Sequence, residues 1–178
     1  AIGDQVKADA ASTISALIDK GITPWLVTGD NEESAAAIAR TVGIKGEHVI
    51  ARALPEEKLA RVSALKAAGH TVLMIGDGIN DAAALAAADL SMAMGTGTDT
   101  AISSADITLM RPELMSAVDA LNLSKRTLTT IKSNLGWAFA YNVIGLPIAA
   151  AGLLTPMYAA AAMAVSSLFV VTNSLRIK

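Results

Sequence analysis

The sequence predicts an α/β domain on a parallel, doubly wound sheet, followed by a helical hairpin that crosses a membrane. Two observations carry this. Short strand-like runs alternate with helix-length segments up to about residue 110, the pattern of strands covered by helices on both faces. From Ser133 through Leu175 there is then no Asp, Glu, Lys, Arg or His, an uncharged run of 43 residues. A bilayer core takes about 20 apolar helical residues per crossing, so the run has the length of two crossings joined by a tight turn.

The first helix is expected from Val6 to Lys20, with Ile14, Leu17 and Ile18 at helical spacing and Gly21 where a left-handed cap belongs. A strand follows from Ile22 to Val27. Thr28-Gly29-Asp30 ends it and leads into a helix from Asn31 to Val42, with Asp30 as cap and Glu33 completing a capping box. Next come a short strand near His48 to Ala51, a loop at Leu54-Pro55, and a helix from Glu56 to Ala68 stopped by Gly69. His70 to Ile75 reads as a strand, and Gly76 to Asp81 turns the chain into an alanine-rich helix. Asp89 to Met94, a Gly-Thr-Gly-Thr-Asp turn at Gly95 to Asp99, a short helix around Thr100 to Ser104, and Ile107 to Met110 complete the alternation. Pro112 to Ile131 reads as a helix leading to the membrane. The spans are expected from Asn134 to Leu154 and from Met157 to Leu175, turning at Thr155-Pro156, with Pro147 kinking the first. Lys125, Arg126 and Lys132 precede the hairpin and Arg176 and Lys178 follow it, which puts both ends on the cytoplasmic side. Two parts follow: an α/β domain over 1–115, and a linking helix with two membrane helices over 116–178.

Composition narrows the function classes. Hydrophobic residues make up 53% and charged ones 17%, too apolar for an ordinary soluble domain and the opposite of a disordered chain. A net charge of -2 supplies no broad basic face, so no nucleic acid partner is expected. The absence of cysteine excludes disulfides, a thiol nucleophile and thiolate metal sites. Ala1 is no start methionine and no cleavable apolar core follows it, so the N-terminus reads as a cut.

Ligands of a doubly wound sheet sit beyond the carboxyl ends of its strands, which singles out Thr28-Gly29-Asp30 and Gly76-Asp77-Gly78-Ile79-Asn80-Asp81 as expected neighbours on one rim. Asp77 and Asp81 flank a strand-to-helix turn, where one carboxylate can bind a hard divalent cation, magnesium by preference, while the other supports it. Gly76 and Gly78 let backbone approach a ligand closely, and Asn80 offers an uncharged amide. Thr28 brings a hydroxyl and N–H groups at a helix start, and Lys58 a positive charge for a phosphoryl group.

Together with Leu54-Pro55-Glu56-Glu57-Lys58 and Gly95 to Asp99, these segments stand in the order of a known family. The whole chain resembles the C-terminal part of a P-type cation-transporting ATPase, whose phosphorylation domain is Rossmann-like, of the haloacid dehalogenase-like class. The resemblance implies that Asp77 is a magnesium ligand, that Asp81 supports that site, that Thr28 and Lys58 contact the phosphoryl group, and that Asn80 helps position it. It assigns Gly29 and Asp30 to the same phosphate loop.

Within the hairpin, Tyr141-Asn142 and Met163-Ala164-Val165-Ser166-Ser167 resemble the copper(I)-exporting pattern. Met163 and Ser167 share one helical face, and a thioether is a soft donor suited to monovalent copper. The same residues also read as packing: Met163 as filler, Asn142 as an interhelical tie, Tyr141 as an interface anchor. The resemblance implies an ATP-driven pump that exports copper(I) through an aspartyl-phosphate intermediate. Its phosphorylated Asp, in an Asp-Lys-Thr-Gly segment, and its Cys-Pro-Cys would both lie upstream of Ala1, so the chain alone is expected to be inactive. The expected cofactors and partners are Mg2+, ATP, copper(I), membrane lipid and the upstream domains of the same polypeptide. The expected location is integral to the plasma membrane, with the α/β domain cytoplasmic. A membrane-anchored phosphatase of the same fold and an inactive truncated membrane protein are the rival readings.

Overall fold

The computed structural model describes residues 6–153 and 155–177. Leu154, the expected end of the first span, and Lys178, one of the two basic residues after the second, lie outside the described residues. The chain forms two compact units, Ala1–Val118 and Asp119–Lys178.

The first unit alternates as predicted: α1 (Ala10–Asp19), β1 (Leu26–Val27), α2 (Glu32–Val42), β2 (Val49–Ile50), α3 (Pro55–Ala67), β3 (Leu73–Gly76), α4 (Ala82–Ala87), β4 (Leu90–Met94), α5 (Asp99–Ser104) and β5 (Ile107–Leu109). Two strands are shorter than the sequence suggests, for visible reasons. Pro24 has no N–H to give a ladder, and the Ile22 N–H caps α1 through the Leu17 carbonyl, so β1 begins only at Leu26. Ahead of β3, the His70 N–H goes to the Leu65 carbonyl and the Val72 N–H to the Asp89 carboxylate. The cap of α2 is Asn31, whose Oδ1 accepts from the Ser34 N–H at 2.9 Å, and the expected Asp30 cap is displaced because that carboxylate bonds Thr28 instead.

All strand pairing is parallel, but the expected single sheet is two: β1 with β2, and β3-β4-β5 in that order. Among the described residues β1 and β2 each pair on one side only, as do β3 and β5 at the edges of the larger sheet. Leu85, Ala93 and Ala101 are fully buried at the centre of the larger sheet's core, with Met74, Ile102 and Ala105 packed on them. Burying a side chain the size of Leu85 contributes about 1.5–3 kcal/mol. Ser91, also buried, is satisfied by Asp106, which accepts from both its hydroxyl and its N–H at 2.8 Å. Those bonds hold the Asp106 carboxyl below its ordinary range; the Val72 N–H and then Lys66 do the same for Asp89.

α6 (Met115–Ala150) begins in the first unit and continues through the second, running past Pro147 to Ala150. In the second unit it pairs with α7 (Pro156–Ser174) as an antiparallel hairpin. The half-buried positions form one seam: Asn134, Ala138, Tyr141 and Gly145 on α6, and Ala159, Ala162, Ser166, Val170 and Asn173 on α7. The other faces are apolar and exposed, among them Phe139, Leu146, Val165 and Leu168, a surface far larger than a water-soluble hairpin tolerates. Among the described residues one helix, Met157–Ser174, is long and apolar enough by itself to cross a membrane. The first expected span falls short of that measure because Asn134, Tyr141 and Asn142 dilute its apolar residues.

Candidate functional site

Lys58 lies in the first turn of α3, where the helix dipole disfavours a cation by about 0.3–1 kcal/mol. Two features hold that turn. Pro55 presets its backbone, and Glu57 reaches back to accept from the Leu54 N–H at 2.8 Å. The ammonium finds its counter-charge elsewhere, donating to Asp81 Oδ1 at 2.7 Å, with both side chains nearly buried at 12% and 11% exposure. Asp81 is engaged on its second oxygen too: Oδ2 accepts from the Gly78 N–H at 3.2 Å and the Asp77 N–H at 3.4 Å. The loop after β3 is thus folded around the Asp81 carboxylate. Gly76 is required here, since a Cβ on it would sit 2.8 Å from Asp81 Cβ.

Asp77 stands apart from this knot. It is exposed, and its carboxylate has no protein hydrogen bond or ion pair among the described residues. Asn80 is also exposed on the same turn. The backbone of Asp77 is fixed from the far side by the segment from Gly95 to Asp99, which the sequence marks as a turn and a family motif but not as a part of this loop. The Thr98 N–H donates to the Asp77 carbonyl at 2.9 Å, and a Cβ on Gly97 would lie 2.6 Å from that same oxygen. The legible signal was the paired glycine of Gly95-Thr96-Gly97-Thr98, which marks a close approach of backbone to backbone.

The Thr28 loop is differently built from what was expected. Its hydroxyl donates to Asp30 Oδ2 at 2.9 Å and accepts from the Asp30 N–H at 3.1 Å, while the Thr28 N–H is taken by the Ile50 carbonyl. The Thr28 N–H is therefore not available to an anion, because the parallel pairing of β1 with β2 uses it. The structure joins Lys58, Asp77 and Asp81 directly. The Thr28 loop, including Gly29 and Asp30, connects to them through the chain just before α3, where Arg52 and Ala53 donate their N–H groups to the Asp30 and Thr28 carbonyls. A groove of about 750 Å³ between α2 and β2, lined by Glu32, Arg40, Ile44 and Ile50, includes none of these side chains.

No group of three or more His, Cys, Asp or Glu side chains forms a metal cage among the described residues. The donor set still fits magnesium. That ion takes one or two carboxylates and completes its shell with water and phosphate oxygens, and Asp77 offers an uncommitted hard donor at the mouth of a rigid loop.

In the hairpin, Tyr141 lies on the seam, whereas Asn142, Met163 and Ser167 are exposed, and Asn142 donates to the Ala138 carbonyl of its own helix at 2.9 Å. Two antiparallel right-handed helices that face each other carry the residues just after their seam positions to one flank and those just before to the other. Trp137 and Phe169, each one step before a seam residue, do meet, with ring centroids 4.8 Å apart. Asn142, Met163 and Ser167, each one step after, share the opposite flank. The Asn134–Asn173 bond sets the level: eight residues up α6 lies Asn142, and eight back along α7 lies Val165, between Met163 and Ser167.

Residues 1–89 match the family model of a haloacid dehalogenase-like hydrolase. The chain belongs to the haloacid dehalogenase-like hydrolases. Over its full length it is 53% identical to the copper-exporting P-type ATPase of Mycobacterium tuberculosis, and 98% of it is 52% identical to a probable copper-importing P-type ATPase A of Enterococcus hirae. It spans 23% and 24% of the length of those relatives. The fold matches a zinc-transporting PIB-type ATPase in its E2.Pi state with a TM-score of 0.88 at 36% identity, over 98% of this chain and 28% of that one. The resemblance to P-type cation-transporting ATPases that the motifs suggest is therefore shown across all 178 residues.

Proposed function

We propose that this chain is the phosphate-handling and membrane-exit portion of an ATP-driven pump that moves copper(I) out of the cytoplasm. The observation that carries the reading is the loop after β3, folded around Asp81 and Lys58 so that the Asp77 carboxylate alone is left free. Asp77 would hold Mg2+, with Asp81 acting as support rather than as a full ligand. Bound there, the ion would neutralise charge on phosphoryl oxygens. Lys58 has three donors and gives one to Asp81, which leaves two to aim at a phosphoryl oxygen. The Asn80 amide is a neutral donor that would orient the same group, and the Thr28 hydroxyl would join it by releasing its bond to Asp30, within a loop shaped by Gly29 and Asp30. The nucleophilic Asp would come from a longer polypeptide, consistent with the quarter-length coverage of the relatives.

For the cargo, the shared flank and level of Asn142, Met163 and Ser167 support a path lined by a thioether and neutral oxygens, with Tyr141 holding the seam beside it. A soft thioether and the absence of any charged group there favour a soft monovalent ion over zinc. The test is the longer reading frame. A polypeptide bearing Asp-Lys-Thr-Gly and Cys-Pro-Cys, reconstituted in vesicles, is expected to drive copper(I) movement with ATP. Asp77→Asn or Lys58→Met is expected to lower turnover by about 100-fold or more, the scale of losing one aligned charge at a transferring group. Transport of zinc and not copper(I), or full turnover of Asp77→Asn, refutes the proposal.

A further inference from the structure

The residues of the proposed copper path share one level only while α6 and α7 keep one register, and little in their packing fixes it. The seam is built largely from Ala138, Gly145, Ala159, Ala162 and Ser166, side chains whose shallow relief lets helices sit close but interlocks them weakly. The connection between the helices restrains only its own end. At the other end a directional network closes. Asn173 Nδ2 donates to Asn134 Oδ1 at 2.8 Å, Asn134 Nδ2 donates to Ser174 Oγ at 3.0 Å, and the Ser174 hydroxyl in turn donates to the Val170 carbonyl at 2.8 Å.

We propose that Asn134, Asn173 and Ser174 are positioning residues, a pin that holds α7 in the one register that brings Met163 and Ser167 to the level of Asn142. The proposal rests on the copper-path reading. Its physical basis is reach. A slip by one helical turn moves one backbone about 5.4 Å past the other, well beyond hydrogen-bond distance, so the amide pair is satisfied in one register and broken in its neighbours. Near the bilayer, where water competes less for polar groups, such pairs act as glue between helices. None of the three is needed as an ion ligand. Their role is carried through the helix to side chains two to three turns away.

The test uses the whole chain in lipid nanodiscs. The sequence contains no cysteine, so introduced pairs give a clean cross-linking readout. A138C with V170C reports the register described above, and A138C with S166C reports a slip by one turn. Combining Asn134→Ala with Asn173→Ala is expected to shift the balance from the first cross-link to the second by about tenfold, the scale of two interhelical hydrogen bonds in a bilayer. Ser174→Thr, which keeps the hydroxyl, is expected to keep the first pattern. Circular dichroism checks that helicity is retained, and if the double variant loses it, Asn173→Ser alone is read instead. An unchanged pattern in a helical variant overturns the pin. Copper(I) added to the same variants without the introduced cysteines gives a second readout, the sulfur scattering that depends on Met163, lost in Met163→Leu and expected to weaken in the pin variant. Scattering untouched by the pin variant overturns the positioning role. Cross-links that shift while copper(I) never senses Met163 support the pin and remove the copper-path reading instead.

Discussion

Replacing Lys58 by Met keeps the stem of the side chain and deletes the ammonium, leaving Asp81, only 8% exposed, without its counter-charge. At 2.7 Å and an effective dielectric constant near 20, the lost attraction is about 6 kcal/mol before desolvation is counted. Breaking one side of a buried pair costs about 3–5 kcal/mol net. The lower end applies here, because the Gly78 and Asp77 N–H groups still face Oδ2 at 3.2 and 3.4 Å. The expected loss is therefore about 3 kcal/mol, a drop of about 1–2 M in urea midpoint for a domain of this size. The assay is urea unfolding of the whole chain in detergent, followed by Trp25 fluorescence in a Trp137→Phe background so that only the α/β unit reports. Adding Asp81→Leu to Lys58→Met removes the stranded carboxylate, and the pair should show a coupling of at least about 1.5 kcal/mol. A cost below about 1 kcal/mol, the value of an exposed ion pair, or strict additivity of the two changes refutes the account of this loop.

Asp77→Asn is expected to change stability by less than about 0.5 kcal/mol, since that carboxylate supports nothing in the fold, while abolishing magnesium-dependent phosphate binding measured by calorimetry. Gly97→Ala drives a Cβ to 2.6 Å from the Asp77 carbonyl and 2.9 Å from that of Met94, neither of which can rotate away. It should cost about 1–3 kcal/mol and raise hydrogen exchange at the Thr98 amide. Acid should weaken the α/β unit. The carboxyls of Asp106 and Asp89 are held below their ordinary value of 3.8, so their contribution is complete above that value and is lost as pH falls through it toward the lower folded-state value. Urea midpoints taken from about pH 6 down to pH 3 should fall less steeply in Asp106→Asn.

Local signals carried most of the element order, because helix stops at Gly21 and Gly69 and the proline start of α3 are written in neighbouring residues. What stayed hidden depends on partners far away in sequence. Asp30 and Asn31 are both good caps, and only the competing bond to Thr28 decides for Asn31. The acidic pair of the site was legible as a motif. That Asp81 turns inward is set by Lys58, a position 23 residues earlier that any amphipathic helix would leave in solvent. The Asn134 network was invisible for the same reason: its members lie 39 and 40 residues apart, in a stretch whose composition says only that it is apolar.

Among the described residues four of the five strands, β1, β2, β3 and β5, are edges that pair on one side only. Exposed edges invite foreign strands, so the chain made by itself is a poor candidate for lasting solubility. The same edges make it a candidate for strand complementation, in which a short synthetic peptide of strand-forming sequence is added as a separate molecule and pairs along one of them.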